Sequence, residues 1–297
     1  MILFTDTNRQ TPCPSEQMML CTVRIETTGV SASGSFQQGC ATGFLLELPV
    51  TTDSTKVVVV TNKHVLDEAQ TITLHFQRSC TDEADAPSGE VYSYQMRGDF
   101  RQEWMSPLSD DIDLCCLDIE NIKCQAQTEG KPILVSSIKA AHFCSHGDLQ
   151  DFISPIQEIF VYGYPTGLWD TYNNLPVIRR GTFASHPAKD FCGEPSGLLD
   201  LACFPGSSGS PVFILSDGAS HSTKNGSVYT GRQLAIFVGV IAKSALMNPD
   251  GRIDFSSLPV QHQRVRDKGM LAIHIAYYIK AAEVIKLFEA AFDLSLT

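Results

Sequence analysis

The chain has 297 residues, 43% of them hydrophobic and 19% charged, a balance that excludes a disordered chain and fits one large domain or two modest ones. Its net charge is −11, with acid spread along the chain and no basic run, so neither nucleic acid nor an anionic membrane is an expected partner. No basic start leads into an apolar leader core, and no apolar run approaches the roughly 18 residues of a membrane span, so the expected location is cytoplasmic.

Short β-type runs fill the first 120 residues: "CTVRIETT", "TGFLLELPV", "KVVVVTNKHV", "TITLHF", "VYSYQMR" and "DLCCLDI". They are rich in Val, Ile, Thr and Tyr and are punctuated by Gly, Pro, Ser and Asp. Residues 121–153 are less regular, with a short helix expected around Ser136–Phe143. A second set of strands follows: "EIFVYGYP", "VIRRGTFAS", "SPVFIL", "QLAIFVGVIA" and "GMLAIHIA". Only "AYYIKAAEVIKLFEAAF" reads as a helix, with Ile279, Ala282, Ile285, Leu287, Phe288 and Ala291 on one face. Two groups of short strands and one terminal helix predict an all-β chain of two barrels or sandwiches. The expected division is 1–125, 126–153 as a connecting insertion, 154–275, and 276–297 as the terminal helix.

The ten cysteines are scattered, several of them inside apolar runs, and free buried thiols are expected. In "HFCSH", His142, Cys144 and His146 alternate along the chain, but no fourth ligand accompanies them and no metal site is expected. No cofactor is expected.

One segment invites chemistry: "ACFPGSSGSPVF", residues 202–213. A serine hydroxyl is a poor nucleophile unless a base takes its proton, an acid orients that base, and backbone N–H groups meet the developing oxyanion. Ser208 occupies the serine of a G-x-S-G-x-P pattern. Gly206 lets the chain turn so that the N–H groups of Gly206 and Ser208 point the same way, with that of Ser207 between them. Taken alone, the loop fits a nucleophile loop and an ordinary tight turn equally well. His64 closes a very apolar strand, "VVVVTNKHVL". Asp113 stands immediately before the buried run Leu-Cys-Cys-Leu, where a carboxylate is costly without partners and an imidazole N–H would supply one. Asp110 and Asp111 read as solvated loop residues.

These segments resemble those of trypsin-like peptidases. "TNKHV", "DLCCL" and "PGSSGSPV" follow one another in the order His, Asp, Ser. The likeness is greatest to the bacterial HtrA (Deg) branch, in "TGFLL", "VYGYP", "VIRRGTFAS", "DLACFPGSSGSP", "GVIAKSA" and "GMLAIHI", and it runs from about residue 20 to 290, with residues 121–153 outside it. The resemblance implies two antiparallel six-stranded β-barrels of chymotrypsin type with a C-terminal helix. It implies a serine endopeptidase acting on proteins or peptides through His64, Asp113 and Ser208. Gly206, Ser207 and Ser208 would supply the oxyanion hole, and Ala202, Cys203, Ala242, Lys243 and Ser244 the walls of the substrate pocket.

With no carboxylate in those walls, a small or medium apolar residue is expected before the cut. Ser207 stands where pancreatic-type enzymes carry an activating Asp, Val65 replaces the cysteine beside the base, and Ser210 replaces a glycine. An inactive peptide-binding relative and a viral-type processing protease are the alternatives. A regulatory protein partner acting through residues 121–153 or 215–233 is a further expectation.

Overall fold

The computed structural model describes residues 5–6, 13–30, 34, 36–67, 69–80, 86–107, 109–218, 221–224, 226–257 and 271–294. Every β-type run quoted above contains a strand. The first sheet is built from β2 (Thr22–Val30), β3 (Phe36–Pro49), β4 (Thr55–Thr61), β5 (Thr71–Ser79), β6 (Pro87–Arg97), β7 (Cys115–Asp118) and β8 (Ile138–Lys139). Six of these follow the order β6-β5-β2-β3-β4-β7. Met105, in the segment that continues from β6, exchanges two backbone hydrogen bonds of 2.8 Å with Cys116 of β7 and so joins the two outer strands. Alternation sets the two faces of β2: Val23 and Ile25 enter the core, while Arg24 and Glu26 lie on the opposite face.

The second sheet holds β9 (Glu158–Gly163), β10 (Val177–Phe183), β11 (Ser196–Asp200), β12 (Pro211–Asp217), β15 (Arg232–Met247), β16 (Ile253–Ser257) and β17 (Leu271–Lys280), with β1 (Thr5–Asp6) at one end. The sixteen-residue β15 does double duty. Residues 233–240 pair with β12 and residues 239–247 with β17, across two register shifts. A separate small hairpin joins β13 (His221–Ser222) to β14 (Val228–Tyr229).

The expectation of two antiparallel six-stranded barrels is therefore corrected. The first sheet forms one six-stranded barrel, to which β8 adds in parallel on β3. The second is an eight-stranded sheet, because β16 adds to the long β15 and β1 reaches across from the start of the chain. Neither β11 nor β16 stood out in the sequence: "SGLLD" and "IDFSS" are too short and too polar to read as strands.

The helices differ from expectation as well. Residues 140–142 form only a 3-10 turn, and the insertion instead carries α3 (Glu120–Thr128) and α4 (His146–Phe152), after α1 (Pro14–Leu20) and α2 (His64–Asp67). The helix α3 buries just Ile122 and Ala126, too thin an apolar stripe to announce itself. The terminal helix, α5, spans Ala281–Phe292, whereas Ala276–Lys280 belong to β17.

Among the described residues, the buried side chains form three clusters. One lies inside the first barrel and one inside the second sheet. The third joins them: Phe44 and Val60 from the first half meet Phe237 and Val240 from the second, and Val284, Leu287 and Phe288 of α5 close over it. The rings of Phe44 and Phe237 stand 5.4 Å apart across this seam.

Candidate active site

Antiparallel pairing of β4 with β7 sets Thr61 opposite Cys115 and Val60 opposite Cys116. Running the register on by two or three residues brings His64, which opens α2, beside Asp113, just before β7. The side-chain amide of Asn62 donates to the Asp113 carbonyl at 2.7 Å, and Lys63 Nζ donates to that of Asp110 at 2.9 Å, fixing the two segments together. His64 Nδ1 then lies 2.6 Å from Asp113 Oδ2, and the His64 backbone N–H donates to Oδ1 at 3.1 Å. Both carboxylate oxygens of Asp113 are thus engaged by one residue.

Ser208 arrives from the other half. Its Oγ is 2.9 Å from His64 Nε2, and the residue is 2% exposed. The loop that carries it is held by close backbone approaches. Gly206 has φ +91° and Gly209 φ +81°, and a Cβ on them would fall on the carbonyl oxygens of Tyr164 and Thr42 respectively. Thr42 of β3 is the residue that sequence reasoning missed. Its N–H donates to the Ser208 carbonyl at 2.9 Å, and its hydroxyl donates to the Gly206 carbonyl at 2.9 Å. That hydroxyl also accepts from the Tyr164 N–H at 3.1 Å. The Thr42 carbonyl in turn accepts from the Thr61 hydroxyl at 2.8 Å, next to the strand end that leads to His64. A buried threonine inside "ATGFLL" carries no sequence mark that separates it from any other strand threonine.

The N–H of Ser207 donates to the Phe204 carbonyl at 3.0 Å. Among the described residues no acceptor takes the N–H groups of Gly206 or Ser208. Of the expected pocket residues, Ala202 is partly exposed and Cys203 buried. Ala242 is buried in the seam, and Lys243 lies over the Tyr277 ring. Ser244 is fully buried, and its hydroxyl has no partner among the described residues. Asp113, Ala242, Lys243 and Tyr277 border a cavity of about 20 Å³. Burial pushes the Cys203 thiol up from its ordinary value, opposed by the Arg179 guanidinium and by a hydrogen bond with Ser207.

A family model described as "Trypsin-like peptidase domain" matches residues 41–219, more than half of the chain and all three of His64, Asp113 and Ser208. The chain belongs to that family. Among solved structures it is similar to the Rv3671c protease of M. tuberculosis in its active form, with 14% identity, 99% of this chain and 95% of that one covered, and a TM-score of 0.45. It is similar to the MamO protease domain of Magnetospirillum magneticum, with 13% identity, 91% and 97% covered, and a TM-score of 0.43. It is also similar to an inactivated protease paralogue of the scabies mite, with 11% identity, 94% and 97% covered, and a TM-score of 0.45. No curated protein matches the sequence.

All ten cysteines are free thiols. Among the described residues no group of three or more His, Cys, Asp or Glu side chains is placed to hold a metal ion, and His142 Nδ1 accepts the Lys139 N–H at 2.9 Å. No described helix is long and apolar enough to cross a membrane. The segment 215–233 includes residues 219, 220 and 225, which lie outside the described ones. Its Lys224 N–H and Nζ donate to the Phe152 and Gln150 carbonyls, so it meets α4 in the other segment singled out for control.

Proposed function

We propose that this trypsin-like domain is a serine endopeptidase in which Ser208 is the nucleophile. The observation that supports it is one unbroken chain of contacts, Asp113 to His64 at 2.6 Å and His64 to Ser208 at 2.9 Å. A carboxylate only accepts hydrogen bonds, so Asp113 requires the proton of the imidazole on Nδ1 and leaves Nε2 free to accept the Ser208 hydroxyl. Ser208 Oγ attacks the scissile carbonyl carbon as its proton passes to His64 Nε2, and Asp113 stabilises the imidazolium. The carbonyl oxygen gains negative charge and takes the two unengaged N–H groups, those of Gly206 and Ser208. Ser207 is left out of that pair in this reading, because its N–H already serves Phe204. Collapse of the tetrahedral intermediate returns the proton from His64 to the leaving amine. Water then repeats the sequence on the acyl-enzyme.

Substrates in this reading are proteins or peptides. Resemblance favours a small or medium apolar side chain before the cut, whereas the pocket residues themselves favour another class, argued below. Exposure of the purified protein to a fluorophosphonate probe tests the proposal. Labelling of Ser208, lost in His64→Ala and accompanied by cleavage of unfolded casein, is expected. An unlabelled Ser208 in folded protein would sink it in favour of an inactive peptide-binding domain.

A further inference from the structure

Arg179 sits on β10, two residues from Val177, which pairs with Gly163, and Gly163 lies against Ser210 in the nucleophile loop. Alternation along β10 turns Arg179 to the same side as Phe183, a member of the core inside the second sheet. The guanidinium therefore enters the interior of this half at the end nearest Ser208. There its Nη1 donates to the Ala202 carbonyl at 2.6 Å, and the guanidinium also meets the Cys203 thiol through its charge and a side-chain hydrogen bond. Ala202 and Cys203 are two of the five residues expected to wall the substrate pocket, and they precede Ser208 on the same loop.

The remaining edge of this guanidinium is unusual. Nε and Nη2 are both buried, and neither has a partner among the described residues. Arg24 and Arg78 each leave a buried Nε without a partner among the described residues, but the charge of each is met. Arg24 and Arg78 each hold a carboxylate, of Glu26 and of Glu90, and Arg101 donates to the carbonyls of Leu66, Asp67 and Ala69. The neighbouring Arg180 reaches Glu158 at the surface. A buried donor left without an acceptor is costly, and a buried cation more so. The Nε–Nη2 edge presents two parallel N–H groups, the fork that a carboxylate takes in bidentate fashion. Among the described residues no carboxylate meets it. An incoming side chain can.

We propose that Arg179 is the specificity-determining residue of the primary pocket and selects a peptide with Glu or Asp immediately before the scissile bond. The Nε–Nη2 edge grips the side-chain carboxylate, while Nη1 stays on Ala202 and keeps the fork aimed. This rests on the reading of Ser208 as nucleophile for its register, but the binding preference can be measured without catalysis. It replaces the apolar preference that resemblance suggests.

The test uses the full chain in two arms. In the first, Ser208→Ala is titrated by fluorescence anisotropy with labelled tetrapeptides that end in Glu, Gln or Leu. The Glu peptide is expected to bind about 10- to 100-fold more tightly than its uncharged isostere, Gln. Adding Arg179→Gln should bring that ratio to about one, and Arg179→Lys, which keeps the charge and loses the fork, should fall between. In the second arm, wild-type protein cleaves fluorogenic peptides with Glu, Gln or Leu before the leaving group, and kcat/KM should follow the same order. A Gln or Leu peptide bound or cut as well as Glu overturns the proposal and leaves Arg179 as a strut for Ala202. That comparison is made within wild type and Ser208→Ala, so it stands even if Arg179→Gln fails to fold. Selective binding without any cleavage overturns the Ser208 reading and keeps the assignment of Arg179.

Discussion

The two halves of this molecule deliver their parts of the site by different means. The first half places His64 and Asp113 through the register of one strand pair, β4 with β7, so regular hydrogen bonding does most of the positioning. The second places Ser208 on a loop whose shape depends on two glycines in left-handed conformations and on contact with Thr42, a residue of the first half. An orienting pair can be built locally, within one sheet. A nucleophile that must meet it from another sheet needs backbone surfaces that touch, and only glycine allows so close an approach.

Substitutions can break this contrast, and the largest effect should come from the second half. Ser208→Ala is expected to lower turnover on a casein or peptide substrate by about 10⁶-fold while leaving the fold intact. In the first half, Asp113→Asn should cost about 10⁴-fold in kcat through the wrong imidazole tautomer, and Asp111→Asn should be mild. If the two exchanged ranks, the register argument for Asp113 would be lost. Gly209→Ala puts a methyl group on the Thr42 carbonyl at a positive φ and should shift Ser208 enough to lower kcat by about 10²-fold, with the His64–Asp113 pair undisturbed. An unaffected Gly209→Ala enzyme would mean that the loop is not held as described. Thr42→Val keeps the shape but removes the hydroxyl that donates to Gly206 and accepts from Tyr164, at a cost of about 1–3 kcal/mol in denaturant unfolding.

The smallest effect concerns the first half alone. Burial works to raise the Glu26 carboxyl, but the hydrogen bond and charge of Arg24, aided by His75, outweigh it and hold the group below its usual range. Burial, then the Arg24 charge, pulls His75 below its ordinary value despite Glu26. For both groups the unfolded chain binds the proton first, so stability falls with acid. The His75 contribution is complete above about pH 6.5 and is lost as pH falls through its depressed folded value. That of Glu26 is complete above about pH 4.3 and follows at lower pH. A melting temperature that drops by a few degrees on acidification, with its upper part flattened by His75→Gln, is the expected result. A wild-type curve flat across this range would contradict it.

Much of the candidate site was legible in the sequence, because the chemistry proposed for it needs particular side chains in particular surroundings. His64 after four valines and Asp113 before Leu-Cys-Cys-Leu stand out as polar groups at the ends of buried strands. Ser208 stands out by its glycines. What stayed hidden depends on contacts between distant segments. Thr42 looks like any strand threonine until Gly206 and Ser208 are brought against it. Arg179 looks like half of an ordinary Arg-Arg pair in "VIRRGTF", although Arg180 points to solvent and Arg179 inward. The fold was legible to the level of strand runs in two groups. Its departure from a matched pair of barrels arises from β1, β8 and β16, short strands of two to five residues whose pairing is decided by the neighbour each happens to meet.

The hydrogen bonds from Thr42 to Ser208 and Gly206 also set a timetable. During synthesis, His64 and Asp113 leave the ribosome well before Ser208, and the strand bearing Thr42 precedes them all. Until the second sheet has folded and docked, the base has nothing to deprotonate and Thr42 has no loop to shape. If Ser208 is the nucleophile as proposed, a growing or truncated chain is therefore unarmed, and the capacity to cut comes only once the second sheet is in place, when few unfolded stretches of its own remain to be cut.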